Sequence, residues 1–187
     1  IEVHQQLATG KLHSRQPGDL YDVTMESLPA NWPRFSRKLR AARGEGGRID
    51  IAARFETKRN RSFEYVQSPN SGLIELDEQP PLSHDNEALD IALTTAALLE
   101  AKPVSLLQTM RKTVVDGSNT SGFQRTTLVS TGGELQTETG PVGVSVLLLE
   151  EDSARKLDTY QTDTGECVIY NLDRLGLPLI EIATDPD

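Results

Sequence analysis

The chain has 187 residues, a formal net charge of −9 and a single cysteine, Cys167. One cysteine excludes an internal disulfide and any multi-cysteine zinc site and suits a reducing, cytoplasmic setting. No apolar run approaches twenty residues, so no transmembrane helix is expected.

The opening IEVHQQL alternates as a strand does. It starts at Ile1 without a methionine, so the chain is expected to be part of a longer protein. A loop rich in Gly, Pro and Ser follows, to about Ala30. Asn31 can cap a helix with Pro33 in its first turn and Gly44 at its end, and Asp50 can cap a second, IAARFETKR. Residues 34–61 hold ten basic residues against three acidic ones. That segment reads either as a phosphate-facing surface or as two solvated helix faces.

SFEYVQS and LIELD read as a hairpin around Pro-Asn-Ser-Gly, stopped by Pro80-Pro81. The longest helix is expected near Asn86 to Ala101, with an apolar face at Leu89, Leu93, Ala96, Ala97 and Leu99. Strands are expected in VSLLQTMRKTVV, QRTTLVST, VGVSVLLLE, ECVIYNL and PLIEIA, with ELQTETGPVG as a hairpin connection. Strands thus dominate the second half. The expected fold class is α+β, with a mixed or largely antiparallel sheet and a few helices.

Four polar groups sit at strand ends. In Glu2-Val3-His4, alternation puts Glu2 and His4 on one face, where a carboxylate and an imidazole can share a metal or a proton. Glu150, Glu151 and Asp152 end an apolar strand. They read either as a hard oxygen-ligand site for Mg²⁺ or as a solvated acidic turn balanced by Arg155 and Lys156. The loop DGSNTSG offers Asp116, Ser118, Asn119, Thr120 and Ser121, its glycines Gly117 and Gly122 let the backbone bend, and Arg111, Lys112 and Arg125 flank it. That is the composition of an anion cradle, without the order of a Walker loop. The fourth group is Asp173 and Arg174 before a Gly-Leu-Pro turn, then Glu181, Asp185 and Asp187. His13 and His84 read as ordinary loop and helix-start residues, and Cys167 as a small buried strand residue.

Together IEVHQQL, SRKLRA, LIELDEQPP, EALDIAL, RKTVVDGSNTSGFQRT, LEEDSARK and LDRLGLPLIEIATDPD resemble the GatB/GatE family. This family comprises the E subunit of the archaeal glutamyl-tRNA(Gln) amidotransferase and its bacterial relative, the B subunit. The DGSNTSGFQR run points to the GatE type. The resemblance implies that residues 1–187 are the N-terminal part of a catalytic cradle domain, without the inserted, helical and tail domains of the family.

It implies an ATP-dependent carbon–nitrogen ligase of the glutaminyl-tRNA synthase, glutamine-hydrolysing type. Glutamate misacylated on tRNA(Gln) would pass through a γ-glutamyl phosphate to glutamine. Ammonia would come from an asparaginase-like D subunit in a heterotetramer. ATP and Mg²⁺ are the implied cofactors. The assigned metal ligands are Glu2, His4 and Glu150, with Asp152 or Glu151 as helper ligand or base. Asp116, Ser118, Asn119 and Ser121 would shape the pocket, and Arg111, Lys112 and Arg125 would neutralise phosphate. Many relatives carry cysteines where this chain reads KLHSRQPGDL, so zinc is not expected. The alternatives are a GatB-type Glu/Asp-tRNA amidotransferase and a catalytically silent tRNA-binding scaffold, with metal binding as the discriminator.

Overall fold

A computed structural model describes residues 1–38, 47–49, 51, 54, 60–163 and 165–186. The strands are β1 (Glu2–Gln6), β2 (Arg34–Lys38), β3 (Ser62–Val66), β4 (Lys102–Pro103), β5 (Thr109–Thr113) and β6 (Phe123–Thr131). They continue as β7 (Glu134–Thr137), β8 (Gly140–Glu151), β9 (Arg155–Thr162), β10 (Gly165–Asn171) and β11 (Pro178–Thr184). The helix α1 spans Asn86–Leu98. One sheet of seven strands runs β1-β11-β8-β6-β4, with β5 also on β6 and β7 also on β8. The other, of four strands, runs β2-β3-β10-β9. Only the β3–β10 pair is parallel among the described strands, so the expected α+β class with a largely antiparallel sheet holds.

Register decides what each face of the large sheet carries, because directly opposed residues share a face and neighbours along a strand do not. Ile180 stands opposite Leu149, which stands opposite Thr127. That face packs on α1: Leu147, Leu149, Val129 and Ile180 meet Ala88, Ala92, Ala96 and Leu99. Asp85 caps α1, accepting from the Ala88 amide at 3.0 Å. Burying such a cluster removes apolar area from water at roughly 25 cal/mol per Å². The second core lies in the small sheet, around Phe63, Tyr65, Val168, Tyr170 and Leu172.

Several expected elements differ. The buried stripe of α1 is alanine, and Leu93 and Ala97 face solvent. The leucines of β8 fill the space beneath the helix, which leaves room only for small side chains on it. Arg34–Lys38 is a strand rather than the start of a helix, paired with β3 through Phe35 opposite Tyr65. The remainder of that expected helix lies outside the described residues, as does the helix expected over 51–59 apart from Ile51 and Arg54. LIELD forms turns instead of a strand. Its amides bond locally, Leu76 to the Gly72 carbonyl at 3.2 Å and Glu78 to Leu73 at 2.8 Å, and β3 pairs with β2 and β10. RKLDTYQT adds β9, which the sequence pattern had not marked.

Candidate functional site

On the sheet face opposite α1, β1 and β11 bring His4 directly across from Glu181. The ligand atoms of Glu2, His4 and Glu181 lie within 4.8 Å of one another. His4 Nε2 is 3.5 Å from Glu181 Oε2 and 3.6 Å from Glu150 Oε1. Lys112 closes the cluster, with Nζ 3.5 Å from Glu150 Oε2 and 3.9 Å from Glu181 Oε2. The Thr126 hydroxyl, opposite Glu150, donates to Glu150 Oε2 at 3.0 Å. Glu150 and Glu181 are buried, whereas Glu2 and His4 are exposed. The cluster therefore opens to solvent along β1.

Three carboxylates so close together cannot all ionise freely. Burial, then a hydrogen bond with Glu2 and the charge of Glu150, pushes Glu181 up to about 7. The same hydrogen bond is the main cause that lowers Glu2, with His4 and Lys112 helping. The hydrogen bond between them therefore favours one shared proton on the pair. Two carboxylates and an imidazole form a donor set that fits a divalent cation preferring oxygen ligands.

Glu150, Glu151 and Asp152 do not form one site. Alternation sends Glu151 to the α1 side, where Arg125 Nη1 lies 3.1 Å from Oε1 and 3.0 Å from Oε2. Burial raises Glu151, and Arg125 opposes the shift. Asp152 is taken by Arg174, 3.3 Å away, and by the Ser153 amide. Arg111 and Lys112 are split in the same way. Lys112 joins the acid cluster, while Arg111 and Arg125 sit over the Phe123 ring at 5.0 and 5.3 Å on the α1 side. The expected phosphate trio is thus divided between two faces, and Arg125 already has a carboxylate partner.

The small polar loop sits where the two sheets meet. Tyr65 donates to the Gly117 carbonyl at 2.7 Å, Tyr170 to Asp116 at 2.9 Å, and the Ala154 amide to Ser118 at 2.8 Å. Asp116 Oδ1 accepts from the amide and hydroxyl of Ser118, and Asn119 Oδ1 from Ser153 at 3.1 Å. Ser121 donates to the Phe123 carbonyl. Much of the loop's polar capacity therefore locks the loop itself. Asn119, Thr120, Ser121 and Gly122 also line a cleft of about 620 Å³ with Arg37, Lys38, Phe63 and Tyr65.

Sequence reasoning named Glu181 as a polar strand residue but missed it as a partner of His4. The available signal was a carboxylate interrupting the apolar run Leu179-Ile180-Glu181-Ile182. His13 and His84, read as ordinary, line a separate cleft of about 670 Å³ on the α1 side. Asp173 is buried and bonded by Arg155, 3.3 Å away, and by the Tyr21 amide. Asp187 lies outside the described residues.

Residues 1–187 match the family described as the GatB/GatE catalytic domain. The chain is 47% identical over 187 residues to the E subunit of the glutamyl-tRNA(Gln) amidotransferase of Thermoplasma acidophilum, covering 100% of this chain and 29% of that protein. It is 45% identical over 188 residues to the E subunit of Pyrococcus furiosus and 47% over 189 residues to that of Methanopyrus kandleri, covering 100% of this chain and 28% of each relative. It spans less than a third of the length of these curated relatives. The chain belongs to the GatB/GatE catalytic-domain family.

Proposed function

We propose that this chain supplies the catalytic surface of a tRNA-dependent amidotransferase, which converts glutamate misacylated on tRNA(Gln) to glutamine. One observation carries the reading: Glu2, His4, Glu181, Glu150 and Lys112 converge on one solvent-facing part of a rigid sheet. The names of the relatives support the tRNA substrate.

The reaction activates a poor electrophile. A side-chain carboxylate reacts with ammonia only after conversion to a better leaving group, which ATP supplies as a γ-glutamyl phosphate. Glu2, His4 and Glu181 would hold Mg²⁺, which neutralises phosphate charge during transfer. Lys112 adds a fixed cation beside the same groups. Glu150, held by Thr126 and Lys112, adds negative charge beside His4. With a cation bound in place of the shared proton, Glu2 and Glu181 would both be anionic ligands. Asn119, Thr120 and Ser121 would contact the glutamyl group or nucleotide from the neighbouring cleft.

The test uses full-length protein with an asparaginase-like partner, Glu-tRNA(Gln), ATP, Mg²⁺ and asparagine. ATP-dependent formation of Gln-tRNA(Gln), lost on Glu181→Gln, is the expected result. Bound tRNA with no product under any condition would leave a silent binding scaffold instead. Activity only with a glutamine-hydrolysing amidase partner, extending to Asp-tRNA(Asn), would place the chain with the GatB type.

A further inference from the structure

The cleft beside the small polar loop is lined from two sheets. Phe63 and Tyr65 belong to β3 of the small sheet, and Asn119, Thr120, Ser121 and Gly122 to the loop that joins β5 and β6 of the large one. Tyr65 stands directly opposite Tyr170 across the β3–β10 pair, and the two rings stack at 6.0 Å. Alternation puts Phe63 on the same face as Tyr65. The two hydroxyls reach successive carbonyls of the loop: Tyr170 donates to Asp116 at 2.9 Å and Tyr65 to Gly117 at 2.7 Å. Phe63 fills the space beside Gly117 that a Cβ would need.

The grip falls where the backbone is least restrained. Gly117 and Gly122 are both left-handed, with φ +85° and +77°, and a glycine leaves such a conformation as readily as it enters it. Downstream of Gly117, the Ala154 amide holds the Ser118 carbonyl and the Glu75 carbonyl holds the Thr120 hydroxyl. The carbonyls of Asp116 and Gly117 have no partner other than the tyrosines among the described residues. Rotating either peptide plane would take its carbonyl off a phenol and leave it unpaired. A tyrosine has only two side-chain torsions, so the restraint costs little side-chain entropy. Burial, with Tyr170 beside it, pushes the Tyr65 phenol up, which keeps it a hydrogen-bond donor.

We propose that Tyr65 and Tyr170 are positioning residues for the amidation: as a pair they tie the loop to the small sheet and fix the width of the cleft that receives the glutamyl group or nucleotide. Tyr65 lines the cleft on one side and, through its hydroxyl, holds the segment that lines the other. The inference rests on the reading of this chain as part of a tRNA-dependent amidotransferase, and it gives the small sheet a part in substrate binding separate from the acid cluster.

The experiment compares full-length wild type, Tyr65→Phe, Tyr170→Phe and the double variant, each with the partner subunit. It measures ATP-dependent formation of Gln-tRNA(Gln), Mg²⁺ affinity, and amide hydrogen exchange over residues 116–122. Each single variant should raise the KM for ATP or for Glu-tRNA(Gln) roughly fivefold and leave kcat within about twofold, because the competent loop shape becomes a fraction of the population that binding must select. Exchange in the loop should quicken by a similar factor, and Mg²⁺ affinity should not change. Tyr160→Phe, which removes an exposed phenol on β9, should alter none of these. A lowered melting temperature with unchanged KM and unchanged loop exchange would make the tyrosines ordinary core residues and overturn the inference. So would a parallel loss of Mg²⁺ affinity, which would mean that the effect spreads through the whole sheet. An active wild type with all three variants silent sinks this inference alone. A wild-type protein that forms no Gln-tRNA(Gln) sinks it together with the amidotransferase reading.

Discussion

His4 Nε2 lies 3.5 Å from Oε2 of Glu181, directly across the β1–β11 pair. The two residues stand near opposite ends of the chain, and strand register alone joins them. Glu181→Gln should therefore lower the affinity of the full-length protein for Mg²⁺ or Mn²⁺ at least tenfold, about 1.4 kcal/mol, by calorimetry. Glu151→Gln should leave the affinity unchanged, because Glu151 sits on the other face with Arg125. Equal losses in both variants would refute the division of faces.

Lys11 is 1% exposed, and its ammonium donates to the Leu172 carbonyl at 3.1 Å. Burial brings its pKa down to about 8, against the pull of Glu75, Asp173 and Glu151. Between pH 8 and the unfolded value near 10.5, the unfolded chain binds more protons than the folded one. Stability contributed by this group must therefore rise with pH across that window, by up to about 3 kcal/mol. Thermal unfolding of full-length wild type against Lys11→Met should show the difference growing in favour of wild type from pH 8 to 10. A constant difference would mean that the lysine keeps its ordinary pKa.

Gly117 has φ +85°, and a Cβ there would lie within 2.5 Å of the Phe63 ring. Gly117→Ala should cost about 2 kcal/mol or more, adding a ring clash to the backbone cost. Gly122 has φ +77° with nothing within 4 Å, so Gly122→Ala should cost only about 1 kcal/mol. The order of the two melting temperatures checks this, and a reversed order would contradict the seating of the loop on Phe63.

Ala92→Leu forces a larger side chain between α1 and β8 and should destabilise by about 1–3 kcal/mol. Leu93→Ala, at a residue 37% exposed, should change stability by under about 0.5 kcal/mol. Thermal melts of the two variants test which face of the helix is buried.

Local pattern determined much of this chain. Alternation placed Glu2 and His4 on one face and marked the strands that became β1, β6, β8, β10 and β11. The same alternation was available to separate Glu150 from Glu151 and Arg111 from Lys112, because period two is a property of the strand itself. Propensity failed where partners overruled it. Arg34–Lys38 became a strand because β3 offered it backbone hydrogen bonds, and LIELD closed on itself because β3 was already paired on both sides. Only tertiary structure could join Glu181 to His4 or set α1 on its alanines. Register between strands distant in sequence depends on which faces bury together, and no local window contains that information.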